Sequence, residues 1–325
     1  MAGRRVLVSG AGGQLGSLVT SLLEAEPWVG EIAGVDVDPP RRRLRKAAFH
    51  RIDPHDRHKV VEVVTAFNPH VLVHLSVWEP DARASPASAK HLTDASAVGV
   101  LGGAAECPAL EHIVVRSGIE LYGRSRDSLT RPAEDAPIRP TTMFGEMVAN
   151  IEHVAADAAS RAGVALTALR LAPVLGPHVP SPLGRLLRLP VVPFSLLADP
   201  AFAVVLEADA ANAFVRAAKD TVDGPINIVG PGAITALQAI VRGRRIPLPL
   251  FGPEWEITRR LTHALGAPVP EHVMEALHRG RLADGERCKQ VLGWSPPTTT
   301  SQIIDRLYEW PSIVRVPPQH QWEVA

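Results

Sequence analysis

Gly10, Gly13 and Gly16 stand at the spacing with which a backbone closes on a pyrophosphate. They follow the apolar run Arg5–Ser9 and lead into Leu15, Leu18, Val19, Leu22 and Leu23, an i, i+3, i+4, i+7, i+8 series that predicts an amphipathic helix. Strand, tight turn and helix N-terminus in that order make a phosphate cradle. One glycine serves the turn, one the approach of backbone to phosphate and one the helix–strand contact. Gly12, Gln14 and Leu15 complete the loop expected to line a nucleotide. Asp36 ends the next predicted strand, 20 residues after Gly16. There a carboxylate accepts from the adenosine ribose hydroxyls and repels a 2′-phosphate. Arg41, Arg42 and Arg43 lie just beyond; they could recruit that phosphate, or simply form a solvated loop. The expected partner is a dinucleotide, NAD ahead of NADP.

Other constellations carry less chemistry. His50, Asp53, His55, Asp56 and His58 are dense, but no third ligand stands at a recognised metal spacing. No HExxH or GxSxG occurs, which removes support for zinc-hydrolase and serine-hydrolase readings. His178 and Arg185 could hold an anion or merely face solvent. The six tryptophans are scattered rather than interleaved with basic residues, as packing residues would be.

The elements that must position the glycines follow from periodicity. A third strand at about 49–52 and a helical stripe of Val60, Val63, Val64 and Phe67 precede the strand VLVHL at 71–75. An Ala-rich helix near 88–106, a strand at 112–117, a long helix near 141–162 and a strand at 166–171 complete the alternation. Such alternation predicts a Rossmann-type, doubly wound parallel α/β sheet. The Pro/Leu-rich stretch 173–200 breaks it and reads as loops and short helices over a cleft. A helix at about 209–218 and a strand at 226–229 then return to the sheet. The division expected is a dinucleotide-binding domain over 1–172 with 201–230, a small, mostly helical lobe from 173–200 and 231–310, and an extended tail at 311–325.

At 325 residues, with 46% hydrophobic and 21% charged residues, the chain can fill a core and carry such a lobe. Thirty-four basic and 34 acidic residues cancel, so no global field draws nucleic acid or an anionic membrane. The longest uncharged run, 224–241, is broken by Pro225, Pro231 and three glycines, so no membrane span is expected. The start MAGRRVLVSG does not read as a signal peptide, and Cys107 and Cys288 show no paired spacing, which together give a cytoplasmic expectation.

These residues resemble the extended branch of the short-chain dehydrogenase/reductase superfamily, the NAD-dependent epimerase/dehydratase proteins, nearly end to end. The resemblance implies that Asp53, with Pro54, reads the adenine, and that the backbone of His74, Leu75 and Ser76 lies along the cofactor. Leu121, Tyr122 and Gly123 match the family's VYG. LRLAPVLGP at 169–177, EADAANAF at 207–214 and VLGWSPP at 291–297 match later family motifs.

The same resemblance puts Phe144 at the family's acid–base Tyr and Val148 at its Lys, in a register fixed by Pro140, Gly145 and Glu152. Gly118 falls at the Ser/Thr that orients substrate, with Ser117 one position early. No YxxxK occurs anywhere, and neither Phe nor Val moves a proton. Loss of positioned acid–base catalysis typically costs about 10²–10⁴ in rate. The leading expectation is therefore a nucleotide-responsive binding or scaffold subunit. The alternative is an NAD-dependent oxidoreductase, epimerase or dehydratase with relocated groups, Glu120 or Tyr122. It would act on a sugar-nucleotide-like or lipid-like ligand in the inter-lobe cleft, beneath the apolar stretch 186–197. Family dimers pack the helices near 88–106 and 141–162, so a homodimer is expected, or a heteromeric protein partner on the same face. The small residues Ala95, Ala97, Gly99, Gly102 and Gly103 would let a partner's helix approach.

Overall fold

In a computed structural model, residues 3–81, 84–124, 130–250 and 269–310 are described. β1 (Arg4–Ser9), β2 (Val29–Asp36), β3 (Ala48–Arg51), β4 (Val71–His74), β5 (His112–Gly118) and β6 (Ala165–Leu171) are joined by four helices. These are α1 (Gln14–Leu23), α2 (Arg57–Phe67), α3 (Pro86–Ala104) and α4 (Met143–Ala162). The short strands β7 (Val174–Leu175), β8 (Val191–Ser195), β9 (Ala201–Phe202) and β10 (Val205–Leu206) follow, with α5 (Pro182–Leu187) between β7 and β8. Then come α6 (Glu207–Asp220), β11 (Gly224–Ile228), β12 (Ile234–Thr235), α7 (Ala236–Arg242) and β13 (Ile246–Leu250). Three helices close the described chain: Glu271–Arg279, Glu286–Leu292 and Thr300–Glu309.

The main sheet has the order β11-β6-β5-β4-β1-β2-β3 and is parallel throughout. Val6, Leu7 and Val8 on β1 and Val71, Leu72 and Val73 on β4 are all buried, as strands covered on both faces require. The strand order reverses between β1 and β4. The crevice at their carboxyl ends is where doubly wound folds take their ligands.

Two apolar clusters organise the interior. The larger runs from Val6 to Ala172, resumes over 205–228, and recruits Ala283, Cys288 and Leu292 from the segment around helix Glu286–Leu292. The smaller gathers Leu183, Leu187, Phe194, Phe202, Ile240, Leu277 and Ile303. Three two-stranded pairs frame the second cluster: β7 with β10, β9 with β12, and β8 with β13. The stretch expected to hold only loops and helices thus also contains strands. β7 has two residues and β8 is interrupted by Pro193, so neither carries an alternation by which a sequence could announce it.

The small residues of α3 are partly spent inside the chain. A β-carbon on Gly99 would lie 3.2 Å from Val60, and one on Gly103 3.3 Å from the Val61 backbone, so these glycines admit α2; Gly102 faces open space. The tail 311–325, Trp255 and Trp322 lie outside the described residues.

Candidate functional site

Gly10 adopts φ 77° and accepts no side chain, because a β-carbon would stand 2.7 Å from the backbone of Leu75 and Ser76. Gly16 is closed in the same way by the Gly10 carbonyl, at 1.8 Å. Gly13 differs: a β-carbon there would meet only the Gly10 oxygen at 3.4 Å, so the space in front of the first turn of α1 is open. No side chain caps α1, and its first turn holds no acid, which leaves its N-terminal amides and positive dipole end for an anion. Gln14 donates to Glu207 at 2.9 Å and so ties this turn to α6. Leu15 is buried behind it.

Asp36 accepts from the Gly12 amide at 2.8 Å and the Asp38 amide at 3.2 Å. Burial pushes its carboxyl above the ordinary range, against those two hydrogen bonds. Beside it Val35, Ile52, Pro54, Val60, Trp78 and Val100 line an apolar slot of the kind that takes a flat ring. Asp53 is exposed and lies outside that slot. Its carboxylate accepts from the backbone amide of His55 at 2.9 Å and meets the ring at 2.8 Å; both contacts lower its pKa. Arg41 lines a cleft with His178, Arg185 and Arg188, while its amide donates to Ser17 at 2.9 Å. Arg185 there pairs with Asp81 at 2.8 Å. The His74 ring is fully buried under the glycine loop, with Nδ1 2.7 Å from the Ser9 hydroxyl; burial pushes its pKa down to about 4. Among the described residues no group of three or more His, Cys, Asp and Glu side chains comes together at a spacing that could hold a metal.

At the other end of the crevice a pocket opens over the carboxyl ends of β5 and β6. Phe144 lines it, 7% exposed, while Val148 one turn later is 1% exposed and packs in the larger core. Gly145 brings α4 against the Glu120 carbonyl, where a β-carbon would stand at 2.7 Å. Glu120 sits on the single 3-10 turn after β5 and is 5% exposed. A side chain at Gly118 would collide with its carboxylate, so Glu120 occupies the space beside Gly118 that a serine or threonine there would take. Burial raises the Glu120 pKa, opposed by Arg281 and His272. Ser117 Oγ is buried without a partner among the described residues.

Tyr122, expected as a substitute proton donor, does not line the pocket. Its hydroxyl donates to Asn227 Oδ1 at 2.8 Å and accepts from Arg170 at 2.9 Å, and burial raises its pKa. Arg170 in turn forks onto Glu152 at 2.9 and 2.8 Å. Tyr122 therefore braces the strand ends, and Glu152, matched in the sequence by register alone, is the half-buried counter-ion of the buried Arg170. Glu146 points to solvent.

Three ionisable pocket residues, Glu79, Arg116 and His272, carry no local sequence signal. Arg116, from β5, is pushed to lower pKa by burial and donates to the Val77 carbonyl at 3.3 Å. His272 stacks on Phe144 with centroids 4.6 Å apart and meets Glu79 at 3.0 Å. Behind them Arg281 and Thr141 both bond Glu275, and Arg124 donates to the carbonyls of Gly280 and Leu282 at 2.9 and 2.8 Å. This fastens helix Glu271–Arg279 to the turn that carries Glu120. Only the topology brings residues this far apart together, so no local signal could have found them.

No helix among the described residues is long and apolar enough to cross a membrane. Solved structures share the fold. UDP-glucose 4-epimerase of Thermotoga maritima, determined with UDP-glucose, superposes at TM-score 0.71 with 18% identity, covering 94% of this chain and 98% of that one. dTDP-glucose 4,6-dehydratase of Bacillus anthracis, in complex with NAD, gives TM-score 0.71 at 14% identity, over 94% and 96%. An uncharacterised protein of Mycobacterium tuberculosis strain H37Rv is 29% identical over 332 residues, 98% of this chain and 88% of the relative. The sequence profile of the NAD-dependent epimerase/dehydratase family spans residues 6–189, from the phosphate cradle through the pocket-lining end of β6. With sheet order, glycine loop and crevice in agreement, the chain belongs to the NAD-dependent epimerase/dehydratase family.

Proposed function

We propose that this chain binds NAD across the crevice and acts on a polar small molecule in the pocket over the carboxyl ends of β5 and β6, moving protons through groups other than a Tyr–Lys pair. The observation that carries this reading is the Glu120 carboxylate held in the space beside Gly118, in a pocket shared with Arg116 and His272. Ionisable groups driven away from their ordinary pKa by burial inside a cleft are where proton chemistry is done.

The residues fit the dinucleotide. The open space before Gly13 and the uncapped α1 take the pyrophosphate, Asp36 the ribose hydroxyls and the slot at Ile52 and Pro54 the adenine. Asp36 at the ribose supports NAD over NADP. NAD when bound supplies a hydride acceptor or donor. The chain supplies orientation, a water-poor pocket and a carboxyl that burial biases toward its protonated form. Family membership and the sugar nucleotides bound by its structural neighbours support a sugar-nucleotide-like ligand. Cytoplasmic residence and a homodimer through α3 and α4 belong to the same proposal.

The test is incubation with NAD⁺ and either UDP-glucose or dTDP-glucose, reading NADH formation and product by chromatography. Turnover that falls by about 10²-fold or more in Glu120→Gln is expected. Turnover unchanged by that substitution would overturn the assignment of Glu120.

A second reading, a nucleotide-responsive binding or scaffold subunit, is favoured by Phe144 and Val148, apolar and buried at the family's Tyr and Lys positions. It predicts NAD binding without turnover of any ligand that fills the pocket.

A further inference from the structure

We infer that His272 is a second proton carrier of the pocket, the base beside the Glu120 acid, oriented by Glu79 and seated on the ring of Phe144. The inference rests on the enzymatic reading above and deepens it.

The three residues come from three parts of the chain. Phe144 is in the first turn of α4, Glu79 follows β4, and His272 opens helix Glu271–Arg279 on the smaller lobe. All three line the same pocket. His272 is 5% exposed, so what access it has is from the pocket. Its Nε2 lies 3.0 Å from Oε1 of Glu79, 193 residues away, which assigns Nε2 as the protonated nitrogen donating to the carboxylate. Its Nδ1 makes no hydrogen bond among the described residues, and its ring lines the pocket. A carboxylate fixing one ring nitrogen while the other is presented as a base is the arrangement by which a histidine is kept in one tautomer and its imidazolium stabilised.

Phe144 has a use here that a tyrosine does not serve better. It lies against the imidazole at 4.6 Å with planes inclined by 34° and so holds the ring in place without adding a competing hydroxyl. The family's proton-carrying position is apolar, and a proton-carrying ring is stacked directly on it.

The step balances as follows. With NAD⁺ bound, the cofactor would supply the hydride acceptor: the hydroxyl proton of a secondary alcohol would pass to His272 Nδ1, its O–H electron pair would form the carbonyl π bond, and the carbinol C–H would leave as hydride. The His272 imidazolium would stay paired with Glu79, and the reverse reaction would return the proton. Glu79 acts through His272 and is a positioning residue.

The test has two arms on the full chain loaded with NAD⁺. In the first, diethylpyrocarbonate modification is followed by peptide mass spectrometry. His272 is expected to be carbethoxylated despite its burial, and Glu79→Gln to slow that modification while leaving exposed His178 unchanged. An unreactive His272, or a rate indifferent to Glu79→Gln, overturns the dyad. In the second arm, NADH formation with UDP-glucose and dTDP-glucose is compared for wild type and His272→Asn. A loss of about 10²-fold or more in kcat with retained NAD-induced thermal shift, partly rescued by added imidazole, is expected. Activity of His272→Asn within about threefold of wild type overturns the inference and leaves the enzymatic reading standing. Absence of turnover by wild type with both probes overturns the enzymatic reading, and the proton-carrier role with it.

Discussion

A β-carbon on Gly118 would stand 2.4 Å from Oε2 of Glu120. The backbone at Gly118 is extended, φ −147°, so the demand for glycine there comes from the carboxylate and not from the chain. Gly118→Ala is expected to destabilise by about 1–3 kcal/mol, as overpacking does. In Gly118→Ala with Glu120→Ala most of that loss should vanish. A double-mutant cycle by urea unfolding checks the coupling, and additive losses would show that the two positions do not share the space.

Nucleotide binding is expected to raise the unfolding temperature. NAD⁺ at about 100 times its Kd adds about 2.7 kcal/mol to stability. Gly13→Asp places a like charge at the pyrophosphate in space where the structure has room. It should therefore abolish the shift while leaving the unliganded melting temperature nearly unchanged. Differential scanning fluorimetry with NAD⁺, NADH, NADP⁺ and NADPH reads both this and the preference set by Asp36.

Tyr122→Phe removes the hydroxyl shared by Asn227 and Arg170 and is expected to cost about 1–3 kcal/mol through the groups left unpaired. Glu152→Gln, which leaves the Arg170 guanidinium buried beside a neutral partner, should cost about 3–5 kcal/mol. Neither should weaken NAD binding. Chemical denaturation and the NAD-induced thermal shift measured side by side separate these outcomes.

Acid should weaken the fold through two imidazoles. His74 and His112 are pushed by burial to about 4, below the ordinary 6.5, so the unfolded chain binds more protons between those values. Stability from this source is full above pH 6.5 and is lost as pH falls toward 4. Between about pH 7.5 and 5.5 each contributes a loss of about 1 kcal/mol. His74→Asn should reduce the slope by one histidine's share, measured by urea unfolding at several pH values.

The sequence made the nucleotide half of the molecule legible because there the chemistry is local. Glycine loop, helix stripe and Asp36 lie within one βαβ stretch, and periodicity places each. The long helix, read near 141–162, is Met143–Ala162, capped by the Thr142 side chain and ended at Gly163. For Tyr122 a motif gives the backbone position but not the hydroxyl's partners, Asn227 and Arg170, 105 and 48 residues off. The sequence leaves Arg41 open between a 2′-phosphate contact and a solvated loop, because its spacing from Asp36 does not say which cleft the loop carries it to, the one it lines with His178 and Arg188. His272 was invisible, since its meaning depends on Glu79 and Phe144 and on a lobe whose short strands carry no period.

The larger core takes Ala283, Cys288 and Leu292 from far along the chain, after the smaller lobe has been threaded. A ribosome synthesising this protein therefore cannot deliver a finished nucleotide domain early. The bed for Cys288 exists once β11 has formed, but stays uncovered until residue 292 has emerged. A nascent chain stalled before that point exposes part of its largest apolar surface, which is where a chaperone would engage it.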